Sequence, residues 1–434
     1  MKAKCFQIAI AVIAISLHGS LISSGGTQSS TAGLEAADAA FKDAKFAEAE
    51  KLYARVAAQD SKNYSAAVRL GQIAVLGNRL IEAKKWLSTA IALNPDEKTP
   101  KALLGEAHYR MDEFERAASL FSAVGREAKA KKLASFKNTV PYQITGEAQV
   151  TRLKFVHTDP LPLVRVKVNE SEEVNFLIDT GGGEVLIDTE FAKKVGAADF
   201  GVEQGIFGGD LKADTGQGRV DSITLGDFVV KNVPVSVLST RRFAAAARGK
   251  QVDGIIGTVL LYHFISTLDY SNGELVLRRR TKENLKQIEQ ESVTTKPVVV
   301  PFWMAGDHLM LARGSVNRSN PVLLFVDTGA AGIGFTGPQS IIDQAGIKLA
   351  IGAETTGTGG GGAVKMVPFN LEELSLGQAK ERDLIGVFGP FPASLELKNG
   401  FRIGGLISHQ FFRPYSVTFD FDGMRIFLKR KQPS

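Results

Sequence analysis

The hydrophobic rhythm of the chain changes once, near residue 140. Before that point, apolar positions are spread through an Ala-, Lys- and Glu-rich background almost without β-branched runs, which favours helix. Phe46-Ala47-Glu48-Ala49, Leu80-Ile81-Glu82-Ala83 and Phe114-Glu115-Arg116-Ala117 recur at intervals of 34 residues. That period belongs to stacked helix pairs. Ala37, Gly71 and Gly105 fall at a small position of the first helix of each pair, and Tyr53, Leu87 and Phe121 at a large apolar position of the second. Helices approach closely only where one side chain is short, so the large residue of one helix fills the space left by the small residue of its mate. Pro95 ends the second repeat. Three repeats are about the minimum for a stable stack, so docking on the rest of the chain or an added helix near residues 128–136 would support it.

After Pro141 the pattern becomes that of strands. Val164, Val166 and Val168 alternate with Arg165 and Lys167, as in a strand with one buried and one wet face. The next apolar run, Asn175-Phe176-Leu177-Ile178, ends in Asp179-Thr180-Gly181. A near copy, Leu323-Leu324-Phe325-Val326-Asp327-Thr328-Gly329, returns 148 residues later. Each copy is answered further on by a glycine-led apolar unit, Gly254-Ile255-Ile256-Gly257 in the first half and Gly405-Leu406-Ile407-Ser408 in the second. Phe264-Ile265-Ser266-Thr267-Leu268-Asp269-Tyr270 then runs in step with Tyr415-Ser416-Val417-Thr418-Phe419-Asp420-Phe421. Asn272-Gly273 and Asp422-Gly423 mark tight hairpins before the return strands. A whole lobe is duplicated.

An apolar strand, Asp-Thr-Gly and a later Gly-apolar-apolar-Gly together resemble the aspartic proteases, in particular retropepsin-like lobes fused in tandem as in pepsin-like enzymes. The resemblance covers residues 141–434 and implies two β-barrel lobes meeting across a cleft, with Asp179 and Asp327 as catalytic acids. It further implies that Thr180 and Thr328 tie the two loops together by hydroxyl-to-backbone bonds and that Gly181 and Gly329 permit the tight turn, with Gly254, Gly257 and Gly405 in support. The helical part resembles three tetratricopeptide (TPR) repeats. The expected fold class is thus multidomain α and β, an N-terminal all-α TPR solenoid followed by two all-β aspartic-protease-like lobes. The expected boundaries are repeats at 33–136, lobes at 141–280 and 297–434, and a linker at 281–296.

Two glycine-rich segments lie where such lobes carry a flap. They contain Phe207, Gly208 and Gly209 in the first half, and Gly359 and Gly360 in the second. Glycine would allow mobility and close approach to an extended substrate; a passive surface loop stands beside this reading. Neither segment has the Lys-Ser/Thr sequel of a phosphate loop. Asp214-Thr215-Gly216 is a third match to the tripeptide, but it follows no apolar strand and falls in the first flap region. Two departures from the family pattern stand out: Gly182-Gly183-Glu184 after the first motif, where Glu184 would perturb the site, and Ser408 in place of a glycine.

Composition narrows the chemistry. Cys5, the one cysteine in the chain, precedes the apolar run at residues 6–17, so a processed chain has no disulfide, thiol nucleophile or cysteine metal site. Lys2 and Lys4 ahead of that run, and small polar residues behind it, have the form of a secretory signal peptide at residues 1–26. Export to a periplasm or the outside is expected, with an uncleaved anchor as the alternative and no membrane span after cleavage. The net charge of +6 is modest, and the local run Arg278-Arg279-Arg280 reads as a solvated connector; no aromatic residues interleave with it as nucleic-acid binding requires. His157, His263, His308 and His409 are scattered, and no metal or cofactor is expected.

The carboxylate pair is the constellation with a mechanism. Two full negative charges at ~3 Å and an effective dielectric of ~20 repel by about 5 kcal/mol, so one proton stays. One acid then serves as general base toward water and the other as general acid toward the substrate carbonyl, as in aspartic proteases generally. The expected function is an exported aspartic endopeptidase acting on a peptide or protein substrate. Its repeats are expected as a separable recruitment or positioning module that supplies no catalytic group, with a spacer or self-association role equally open. The alternatives are a non-catalytic peptide-binding protein that keeps the fold, or a TPR scaffold.

Overall fold

The computed structural model describes residues 25–350 and 352–431. The expected signal peptide lies almost entirely outside the described residues. Among those described, no helix is long and apolar enough to cross a membrane.

Among the described residues, seven helices form the N-terminal part: α1 (Gly25–Lys42), α2 (Phe46–Gln59), α3 (Tyr64–Leu76), α4 (Leu80–Leu93), α5 (Lys98–Arg110), α6 (Phe114–Ala123) and α7 (Glu127–Ala134). The second helix of each pair starts on the repeating motif. Ala44, Asn78 and Asp112, one repeat apart, all turn the chain with positive φ. The small positions act as the sequence implies: a Cβ on Gly71 would lie 2.6 Å from the Leu87 side chain, and one on Gly105 3.1 Å from Phe121. Asn63 caps α3 by accepting the amide of Ala66 at 3.0 Å, a standard way to satisfy a free helix-start donor.

The β region is two lobes built alike. In the first, Val174–Ile178 lies antiparallel to Leu163–Val168 and parallel to Gly254–Ile256, with Ile178 opposite Ile256. In the second, Val322–Val326 lies antiparallel to Leu309–Val316 and parallel to Gly405–Ile407, with Val326 opposite Ile407. The lobes join where Phe264–Asp269 pairs with Tyr415–Asp420. There Thr267 faces its own counterpart Thr418, their hydroxyls 2.8 Å apart, as a pseudo-two-fold relation requires. The basic run expected to be solvated is instead structural. Arg279 donates to the carbonyls of Ile144, Gly146 and Ala148, and Arg280 to Tyr262 O and Asp422. Residues 281–296 contain the helix Lys282–Thr295, which buries Ile288 against Ile265 and Phe427.

The repeats are not a free module, which corrects the expectation of separability. Phe41 and Phe46 pack edge-on against Phe401, and Phe46 against Trp303. Arg110, buried, donates to the carbonyls of Val75, Met304 and Gly306. Asn78 bridges Phe421 O and the Tyr262 hydroxyl. Helix α3 is buried almost all round because the second lobe covers the side turned away from α4. The physical reason is area: three helix pairs leave an apolar face that a larger β surface can cover.

Candidate active site

Both Asp-Thr-Gly tripeptides sit at the ends of the central strands, and the parallel register fixes them. The amide of Asp179 donates to Ile256 O and that of Asp327 to Ile407 O, each at 3.0 Å. The tripeptides then meet. Thr180 N donates to Thr328 Oγ1 and Thr328 N to Thr180 Oγ1, both at 3.0 Å, while the Thr180 hydroxyl donates to Val326 O. Both threonines are fully buried. Within each loop the glycine amide donates to the aspartate, Gly181 to Asp179 and Gly329 to Asp327, at 2.7 Å each.

The glycines are required by the opposite acid. A Cβ on Gly181 would fall 2.5 Å from Asp327 Cγ, and one on Gly329 2.0 Å from Asp179 Cγ. Each loop thus leaves the space that the carboxyl from the other lobe fills, and the two carboxyls interact directly. Burial raises Asp179 above the usual carboxylate range, against the pull of the Gly181 amide and of His308. Burial and the negative charge of Asp179 raise Asp327 further, well above that range. Both acids are thus shifted toward their protonated forms, and the pair titrates as a unit.

The glycine-led units brace the loops, and the two lobes do this differently. Gly257 passes so close to the first loop that a Cβ would lie 2.2 Å from Gly183 O, and its neighbour Thr258 donates to Thr180 O at 2.9 Å. Ser408 uses its hydroxyl instead. It accepts from Ala330 N at 3.1 Å and donates to Ala330 O at 3.2 Å. Gly254 and Gly405 pack under the rings of Phe176 and Phe335.

Glu184 does not reach into the site. It turns into the repeats, accepting from Tyr109 OH at 2.7 Å, Lys132 Nζ at 2.5 Å and Ser236 Oγ at 3.2 Å. Burial alone would raise it, but the Lys132 and Lys129 ammoniums hold it below the usual range. Nothing in the sequence pointed to its partners. His308, dismissed with the other histidines, lies against Gly183 and hydrogen-bonds Asp307 at 2.6 Å.

The glycine-rich segments are hairpin tips, between Ala198–Ile206 and Lys212–Leu225 and between Thr355–Gly359 and Gly362–Leu376. They touch across the lobes: Gly360 lies against the Phe207 ring, Gly361 against Leu211, and Gly209 N donates to Pro390 O at 2.6 Å. Gly208 also faces Pro390 O, and Gly359 packs by Val364. Asp214 lies within the first hairpin, paired with Gln204.

Residues 164–260, which hold the first motif and its answering glycine unit, match the family model described as aspartyl protease, and residues 40–102 match the tetratricopeptide repeat model. The chain thus resembles an aspartyl protease domain over the first of these segments and TPR repeats over the second. Solved structures similar to part of it include the Arabidopsis OM64 TPR domain, 17% identical over 26% of this chain and 95% of that one with a TM-score of 0.23. Another is the first TPR of Spaghetti (RPAP3) bound to HSP90 peptide SRMEEVD, 18% identical over 26% of this chain and 96% of that one with a TM-score of 0.24. A comparison with curated proteins gives no match.

Proposed function

We propose that the chain is an aspartic endopeptidase of tandem, pepsin-like organisation whose dyad is Asp179 and Asp327. The observation that carries this reading is the reciprocal fit of the loops, in which each glycine makes room for the opposite carboxyl and the threonines exchange hydrogen bonds. Such a fit has no use in a passive fold, since two buried acids side by side are costly. Ionised Asp179 takes a proton from a water whose oxygen bonds to the scissile carbonyl carbon, while Asp327 gives its proton to the carbonyl oxygen. The tetrahedral intermediate collapses as the amide nitrogen takes a proton from Asp179 and the C–N bond breaks. The second hydroxyl proton returns to Asp327. The hairpin tips with Phe207 and Gly360 close over an extended substrate in this reading, and the chain is exported. Partner recruitment falls to the solvent faces of α2, α4 and α6, because α3 and α5 are largely covered.

The test is cleavage of a diverse peptide library by wild type, Asp179→Asn and Asp327→Asn. Either substitution is expected to cut hydrolysis by about a thousandfold or more, because it removes one half of an acid–base pair. The melting temperature is not expected to fall. Wild-type activity in either variant sinks the assignment.

A further inference from the structure

The loop that carries Asp179 is held by Thr258 and Val259 of its own lobe, whose amides donate to Gly182 O and Gly183 O, and also from outside the lobe. Five residues beyond Asp179, Glu184 is 8% exposed and receives Lys132 of α7 and Tyr109 of α5. Lys132 itself is wholly buried, and its other contact is Val235 O at 3.5 Å. Three residues earlier on the same helix, Lys129 Nζ lies 3.2 Å from Asp307 Oδ2. Asp307 and His308 in turn flank Gly183, whose Cβ would meet them at 3.4 and 3.3 Å. One face of α7 therefore sends two ammoniums to two sides of the Gly183-Glu184 segment.

Among the described residues, the second lobe has no equivalent buried ion pair behind its loop. The residue 148 positions after Glu184 is Gly332, with positive φ and open space where a Cβ would be. Glue between domains needs no particular address, yet here both cations converge on the segment that follows the dyad acid. A buried ion pair tolerates little displacement, since either partner alone is an uncompensated charge.

We propose that Tyr109, Lys129 and Lys132 are positioning residues, which hold the Gly183-Glu184 segment and through it keep the Asp179 carboxyl aligned with Asp327. The helical repeats then complete the first half of the dyad. The alignment rests on the protease reading; the bracing of the loop does not.

Full-length Lys132→Met, Lys132→Met/Glu184→Gln and Tyr109→Phe separate the two. Hydrogen exchange is read at residues 180–184 and 328–331, and kcat and KM on a short peptide. Lys132→Met is expected to speed exchange at 180–184 by about tenfold or more, leaving 328–331 as in wild type. Its kcat falls by about ten- to a hundredfold while KM moves by less than about twofold, as displacement of a reacting group predicts. The double variant, a neutral pair of similar shape, recovers most of both. Should Lys132→Met fail to fold, Tyr109→Phe decides, with an expected increase of about threefold or more in exchange at 180–184. Equal acceleration in both loops, or unchanged exchange and kcat, overturns the proposal. Faster exchange at 180–184 with unchanged kcat overturns it too, for the loop would then be braced without serving the dyad. A wild type without hydrolysis defeats the endopeptidase reading; the exchange data alone then decide the bracing.

Discussion

The two Asp-Thr-Gly loops share their backbone hydrogen bonds and differ in what stands behind them. The Asp327 loop is held by its own lobe, through the Ser408 hydroxyl on both polar groups of Ala330 and through Gln410, whose amide donates to Gly332 O at 2.8 Å. The Asp179 loop has Thr258 of its own lobe on Thr180 O and, in addition, Glu184 reaching Tyr109 and Lys132 of the repeats. Duplication thus preserved the contacts the dyad needs and left the bracing free to diverge. The first lobe gained a further brace from the helical repeats.

Removing that domain is the harshest test of the difference. A chain of residues 141–434 leaves Glu184 without its cation, which alone costs about 3–5 kcal/mol, a large share of the roughly 5–15 kcal/mol that keeps a domain folded. It also uncovers Trp303 and Phe401, which Phe46 now covers. The expected outcome is no cooperative thermal transition and no peptide cleavage. A truncated chain that melts cooperatively and cleaves a short peptide at the wild-type rate would show both lobes to be self-sufficient.

Exchanging the braces comes next in size. Gly257→Ser places a Cβ 2.2 Å from Gly183 O and 2.5 Å from Glu184 O, backbone atoms that cannot swing aside. A loss of about 3 kcal/mol or more is expected. Ser408→Gly deletes two hydrogen bonds without a clash and should cost about 1–2 kcal/mol. Denaturant midpoints of the two variants check this; equal losses would mean that the loops are braced alike.

Much of this architecture is legible in the sequence because it depends on local rules. The 34-residue period places Gly71 under Leu87, and the strand-plus-Asp-Thr-Gly pattern places Asp179 and Asp327 at equivalent strand ends. What is not legible depends on pairs distant in the chain. Glu184 stands out only as a departure, since a glutamate after a glycine run does not say that a lysine 52 residues earlier will neutralise it. Ser408 looks like a lost glycine until its hydroxyl is seen on Ala330. The arginines at 278–280 look like a charged linker because their partners are backbone carbonyls, which carry no sequence signature.

The smallest expected effect bears on which acid keeps the proton. Both carboxyls are raised by burial, but Asp179 has His308 nearby to favour its ionised form, whereas Asp327 has the negative charge of Asp179 beside it and no comparable cation. His308→Gln removes the imidazole that favours the ionised form of Asp179 while retaining a donor for Asp307. The carboxylate of Asp179 then becomes less favourable, and its proton leaves at a higher pH than before. Activity that needs ionised Asp179 should begin later on raising the pH, with the acid limb of the kcat/KM profile moving up by about 0.3–1 pH unit. The alkaline limb, set by loss of the Asp327 proton, should stay in place. Movement of the acid limb to lower pH, or of both limbs together, would show that His308 does not distinguish the two acids and that the asymmetry of the dyad has another source.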